Sequence, residues 1–424
     1  MLVLCLAALV EGAIAIAVYA KGNDQPQEKF ALLSHPVAGN FKPNKTKLSD
    51  CSSSDQTCIQ QAFGNIAYYQ GPKIALGLFA QRYGDYSDPN CHPVAHRIGS
   101  ATLARDHGNV SEAFAQGSSA CFSGFYHGIL ERALLSLKTY DAASLASVSR
   151  RLCADREVRS SRWLTSACTH GLGHGLMITT GYNLPLALKV CDRLGSNSDN
   201  RSCNGGVFME NLSTTFGVLS RYLRKDDPLY PCDAVPNSDK FECYELVTSH
   251  VIRADNGDWK KTAETCAQAK NGWAVTCFWS LGRDADSQAH YDPAGVKNIC
   301  ALGAPYQGDA MCLMGASMTM VKNFESGKQA AVLCNTLSVG LRGSCYYAAG
   351  SIMAQYGATK ATRQRNCAKT TGVAQYRRQC VQAGEDYVRL GLEQWFLINR
   401  RFASLLAAKG QEAAMADAIS SVGS

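Results

Sequence analysis

Six of the nine histidines in this 424-residue chain fall between His92 and His174. Five of these stand in strings with a four-residue step: Cys91-His92-x3-His96, His127-x3-Glu131 within CFSGFYHGILE, and His170-x3-His174 within CTHGLGHGLM. On a helix that step puts both side chains on one face, about 6 Å apart, close enough to converge on one metal ion. Glu210, in CNGGVFMENL, falls one residue past the place that His127 and His174 hold in their own segments. The candidate metal ligands are therefore His92, His96, His127, Glu131, His170, His174 and Glu210, with Tyr126 as a hydrogen-bonding partner behind them. Nitrogen and oxygen donors of this kind suit zinc, iron, copper or manganese. They exceed what one tetrahedral ion needs, which leaves room for a dinuclear centre or for an open position holding a reactive water or dioxygen. Glu131 or Glu210 would then act as ligand or general base.

The elements that must position these residues are set out by the cysteines. Of nineteen, eighteen fall into neighbouring pairs that are candidate disulfides. The pairs are Cys51 with Cys58, Cys91 with Cys121, Cys153 with Cys168, Cys191 with Cys203, Cys232 with Cys243, Cys266 with Cys277, Cys300 with Cys312, Cys334 with Cys345, and Cys367 with Cys380. Cys5 is left over. From Cys168 on, the second member recurs about every 35 residues, the period of a helical repeat. Each unit reads as a short amphipathic helix ending at its first cysteine, a polar connector, and a more apolar helix opening at its second. A disulfide closing a loop of about a dozen residues contributes roughly 3 kcal/mol by the chain-entropy model. Three residues after the second cysteine the side chain is small in seven of eight units, Gly124, Gly171, Gly206, Ser280, Gly315, Ala348 and Ala383, with Leu246 the exception. Glycine inside a helix costs about 1 kcal/mol against alanine, so close packing is the expected reason. The fold class is all-α: disulfide-stapled helical hairpins forming a right-handed solenoid or arc with a concave inner face.

The repeats also serve as their own comparison. Six residues after the second cysteine they read His127, His174, Met209, Ser249, Arg283, Met318, Ser351 and Asp386, so the scaffold does not demand histidine there. Concentration of His and Glu in the early units points to a site. The competing reading is packing: histidines near helix starts bond carbonyls and acids, and HGLGHG permits close approach. His107 reads as a turn residue, and His35, His250 and His290 belong to no motif.

Residues 1–20 are apolar apart from Glu11 and end in Val18-Tyr19-Ala20, the pattern of a signal peptide or, alternatively, a membrane anchor. Residues 21–50 read as a linker, 51–150 as an N-terminal helical region with the histidine strings, 151–390 as repeats, and 391–424 as a capping helix and tail. Eighteen paired cysteines imply an oxidising compartment, periplasmic, secreted or membrane-anchored facing outside. The formal charge of +7 is scattered, which argues against nucleic acid. No P-loop, G-x-S-x-G elbow or strand-borne G-x-G-x-x-G is present, so no nucleotide is expected. Asp88 stands where a c-type haem site would need a cysteine, so no haem is expected either.

In period and cysteine placement, over residues 120–390, the chain resembles secreted Sel1-like and tetratricopeptide-like repeats, and CFSGFYHG and CTHGLGHG look like motifs of a bacterial family of unassigned function. Those repeat families mostly bind proteins or peptides. Two functions follow as expectations: a metal site in the first units, with enzymatic activity left open, or a non-catalytic scaffold of the cell envelope that binds a protein or peptide in the concave groove. Phe125, Tyr126, Trp279, Tyr346 and Tyr347 would be the anchors of the second.

Overall fold

The computed structural model describes residues 40–389, apart from 84–89, 118–119, 136–140, 157, 214–219, 325 and 357–358. The expected leader, most of the linker, Cys5 and the C-terminal cap lie outside the described residues. Residues 40–50, assigned to the linker, pack on the body. Phe41 is buried, and its carbonyl accepts from Arg132 at 2.8 Å.

Among the described residues the chain is helical with no strand, and no helix is long and apolar enough to cross a membrane. Helices α1 (Gln56–Gln70) and α2 (Pro72–Tyr83) precede α3 (Cys91–Arg105), the short α4 (Val110–Ala115) and α5 (Ala120–Leu135). Hairpins then follow: α6 (Ala142–Leu152) with α7 (Arg162–Thr179), and α8 (Leu184–Cys191) with α9 (Asn197–Ser213). The next inner element is split into α10 (Lys240–Tyr244) and α11 (Thr248–Ala254). Beyond it lie α12 (Trp259–Ala267) with α13 (Ala274–Gln288), α14 (Pro293–Ala301) with α15 (Asp309–Phe324), α16 (Gly327–Asn335) with α17 (Val339–Tyr356), and α18 (Lys360–Thr370) with helical turns over 374–389.

Outer helices start where a short polar side chain caps the first turn. Asp141, Asn183, Asp258, Asp292, Ser326 and Thr359 each accept a backbone N–H two or three residues on, satisfying donors the helix itself leaves open. These helices end at the first cysteine, within a turn. The inner helices begin earlier than expected: α7, α9, α13, α15 and α17 open three to six residues before the second cysteine. In α7 the reason is a cap in the connector, Ser161, which accepts from the Leu164 amide at 3.1 Å.

Among the described residues nine disulfides form, each between neighbours in sequence. They join Cys51 to Cys58, Cys91 to Cys121, Cys153 to Cys168, Cys191 to Cys203 and Cys232 to Cys243. Further along they join Cys266 to Cys277, Cys300 to Cys312, Cys334 to Cys345 and Cys367 to Cys380. Their Cα–Cα distances run from 5.3 Å at Cys232 and Cys243 to 5.9 Å at Cys91 and Cys121. The chain is thus a disulfide-rich helical repeat protein, and nine bridges fit an oxidising environment. One unit departs from the pattern, and it is the one with Leu246 where the others have a small residue. Its inner helix breaks between Tyr244 and Thr248, and the hydroxyl of Ser280 on α13 accepts from the buried Thr248 amide at 3.2 Å.

The inner helices form one continuous apolar core. Their row also doubles back, with α5 meeting α15 and α7 meeting α17. Phe125, Tyr126, Trp279 and Tyr346 are buried in that core and Tyr347 is partly buried, its hydroxyl bonded to Asp386 at 2.8 Å. They are not exposed anchors, because helix packing consumes the faces that carry them.

One core residue is chemically out of place. Asp286 is fully buried with neither carboxylate oxygen hydrogen-bonded, where the next inner helix has Val321. Desolvation first, then the nearby Asp284, pushes its pKa well above the usual 3.8. A raised carboxyl pKa means the folded state holds a proton that the unfolded state releases, so stability falls as pH rises above about 4. Asp286→Val is therefore expected to raise the unfolding free energy at pH 7 by about 1–3 kcal/mol. Urea titrations of both proteins should show that gain shrinking as pH is lowered toward about 4. An equal gain at both pH values would remove the carboxylate as its cause.

Candidate metal centre

Four consecutive inner helices, α3, α5, α7 and α9, pack side by side and carry the histidine and glutamate strings. Their spacing is set by glycines at backbone contact. A Cβ on Gly128 would lie 1.8 Å from the carbonyl oxygen of His96, and one on Gly206 would lie 1.9 Å from that of His170. Gly99 and Gly173 make the reciprocal approaches to Phe125 and Cys203. In HGLGHG, Gly171 and Gly175 face Leu130 and Leu134 of α5 while Gly173 faces α9, so the string serves packing and site together.

This packing gathers five imidazoles. The His127 ring centroid lies 5.4 Å from His92, 5.2 Å from His96, 5.2 Å from His170 and 4.4 Å from His174. His92 and His96 are 4.3 Å apart, and His170 and His174 are 5.2 Å apart. Ring nitrogens of His92, His96 and His127, and of His127, His170 and His174, form two groups within 4.8 Å, each of which could hold a metal ion. His96, His127 and His174 are buried; His92 and His170 keep partial exposure and form the accessible side.

The two glutamates stand behind histidines. Glu131 does not converge with His127 on its own helix; its Oε1 meets His96 Nδ1 across the α3–α5 contact at 2.5 Å. Glu210 Oε2 meets His174 Nδ1 at 2.9 Å, and its Oε1 accepts from the Tyr182 hydroxyl at 2.7 Å. The expected partner Tyr126 packs its ring on Phe114 and Phe125, at 4.9 and 5.6 Å. Sequence reasoning missed Tyr182. It stands in the left-handed turn after α7, at φ 59° beside Gly181, and nothing in TTGYNLP signals an acid on the next helix. The described motif-free histidines, His107, His250 and His290, belong to neither histidine group. His107 and His290 occupy left-handed turns, His250 bonds the Arg224 carbonyl at 3.0 Å, and His35 lies outside the described residues.

Hydrogen bonding assigns protons. His92 Nδ1 lies 2.6 Å from the Cys121 carbonyl, which can only accept, so Nδ1 carries the hydrogen and a neutral His92 presents a bare Nε2. With Glu131 ionised, the same holds for His96. Yet the two Nε2 atoms are 2.8 Å apart, lone pair toward lone pair. That contact is relieved when Glu131 is protonated and donates to His96 Nδ1, moving the His96 hydrogen to Nε2, or when a cation meets both nitrogens. Burial disfavours an imidazolium. Desolvation drives the His92 pKa down to about 4 and His174 to about 3, and holds His96, His127 and His170 well below 6.5, the neighbouring imidazoles adding to it. Burial likewise lifts Glu210 to about 7 against the pull of the Tyr182 hydrogen bond. Neutral imidazoles are the form that ligates metals.

Fold and site together define a disulfide-stapled helical repeat protein with a buried polyhistidine cluster. No known protein family, curated protein or solved structure matches this chain.

If glycine contact sets the site, Gly128→Ala must push α3 from α5. We expect it to cost about 1–3 kcal/mol from overpacking. Gly77→Ala, on a helix face with nothing within 4 Å, should be neutral or stabilising by up to about 1 kcal/mol. Thermal melts of the two variants decide this, and equal melting temperatures would show that the close approach carries no energetic weight.

Proposed function

We propose that the protein is an exported, histidine-ligated transition-metal protein whose ions keep an open coordination position, as metal-dependent enzymes do. The observation that carries the reading is His127. It is buried at the centre of four other imidazoles, and neither of its ring nitrogens has a hydrogen-bond partner. A buried polar atom without a partner costs about 1–3 kcal/mol, a cost that coordination removes. His174 Nε2 is in the same state.

Three imidazoles around an ion, with a fourth position left for water or substrate, is the donor count of catalytic rather than structural zinc sites. With the paired cysteines committed to disulfides and both glutamates turned to ring nitrogens, the inward donors are all imidazole. That set favours zinc, copper or iron over manganese, which prefers oxygen. Glu131 and Glu210 then orient the rings and raise their basicity. Export is supported by the apolar leader at residues 1–20 and by the nine bridges, and the partly exposed His92 and His170 offer the route for an outside ligand.

Plasma mass spectrometry on protein purified from an oxidising compartment without chelator tests the reading. Near-stoichiometric metal is expected in the parent, and its loss is expected in His127→Ala with helicity retained. Glu210→Gln should weaken affinity by about 10–100-fold. A folded parent that holds no metal and takes up neither zinc nor copper would overturn the proposal.

A further inference from the structure

The five histidines are not equivalent. Three of them have one side of the ring committed to the surrounding helices. His92 bonds the Cys121 carbonyl, His96 bonds Glu131, and His174 bonds Glu210. Each of these rings is oriented by its outer contact and turns its other nitrogen toward the cluster. His127 is the one ring of the five whose Nδ1 and Nε2 are both buried without a partner.

Its place in the helix row matches that difference. His127 is on α5, between α3 with His92 and His96 and α7 with His170 and His174, and it belongs to both histidine groups. The two nitrogens of one imidazole point away from each other, so a single ion can use only one of them. A neutral imidazole bound to one ion keeps a hydrogen on the other nitrogen, and here that N–H would stay buried with no acceptor, at the cost already given. A second ion removes the difficulty.

We infer that the cluster is a two-ion centre in which His127 bridges, one ion held by His92, His96 and His127 and the other by His127, His170 and His174. This rests on the metal reading above and extends it. Binding of the second ion displaces the remaining ring hydrogen of His127 to solvent as a proton, leaving an imidazolate between the two cations. Each ion has three imidazole nitrogens and an open position, and the two are joined by a conjugated ring.

Copper(II) is the probe, because its unpaired spin reports the bridge. The full-length protein would be stripped with chelator, dialysed, and titrated with copper(II) while bound metal and the electron paramagnetic resonance signal are both followed. Two copper ions per chain are expected, with a signal that grows over the first equivalent and is lost over the second as the spins couple through His127. His170→Ala should bind one ion and keep its signal. In His127→Ala, whatever copper is bound should give its full uncoupled signal. One ion per chain in the wild type would overturn the bridge and leave the metal reading standing. Two ions with full uncoupled intensity would also overturn it. No bound copper, with none of zinc or iron on purification, would remove both. Since stoichiometry and coupling are read on the wild type, the test holds even where a variant fails to fold.

Discussion

Backbone-to-backbone contact between inner helices is the constraint from which the rest follows. Ordinary helix pairs sit about 8–10 Å apart, a separation set by the side chains between them. At Gly128 and Gly206 no side chain intervenes, and the carbonyls of His96 and His170 occupy the space a Cβ would need. The helices carrying the histidines are drawn together at the turns where the imidazoles emerge, so rings from three helices share one small volume. Each glycine gives up about 1 kcal/mol of helix propensity for this. The local disulfides offset such losses unit by unit, as the bridge from Cys91 to Cys121 does by tying α3 to α5 beside His92.

Close approach also creates the electrostatic problem that defines the site. Five crowded imidazoles, three of them buried, cannot all hydrogen-bond to one another, and desolvation keeps them from charging. Outer partners at three of the rings orient them and turn the remaining nitrogens inward. What faces the centre is then a set of ring nitrogens in which His127 finds a partner for neither its lone pair nor its hydrogen. A packing explanation would have each ring satisfied; here the core is arranged so that the unsatisfied atoms are collected in one place.

Much of this was legible in the chain. The cysteine spacing carried the repeat and the pairing, because each bridged cysteine bonds its nearest neighbour in sequence, as Cys266 does with Cys277 and Cys334 with Cys345, and no long-range choice arises. The four-residue steps placed the histidines correctly on helix faces. What failed was inference from one helix alone. Glu131 lies four residues from His127 but meets His96, since at glycine contact the neighbouring helix is nearer than the next turn of its own. Tyr182 was invisible because its partner is 28 residues on, reached only through the left-handed turn that ends α7. The Leu246 exception was visible, but its outcome, a split inner helix recapped by Ser280, depends on a side chain from the following unit.

Nearest-neighbour bridging bears on the order in which the molecule is made. Every disulfide spans 7 to 30 residues, and no other cysteine falls inside any of the loops. A chain emerging from a ribosome or translocon into an oxidant can therefore close each bridge as its second thiol appears, always with the last one made. Consecutive oxidation among these eighteen thiols would give the native pairing without reshuffling. The imidazoles follow the same schedule: α3 and α5 emerge first, α7 completes the five rings, and α9 delivers Glu210. Every candidate ligand therefore lies ahead of the second half of the chain, the helix with Glu210 ending at Ser213.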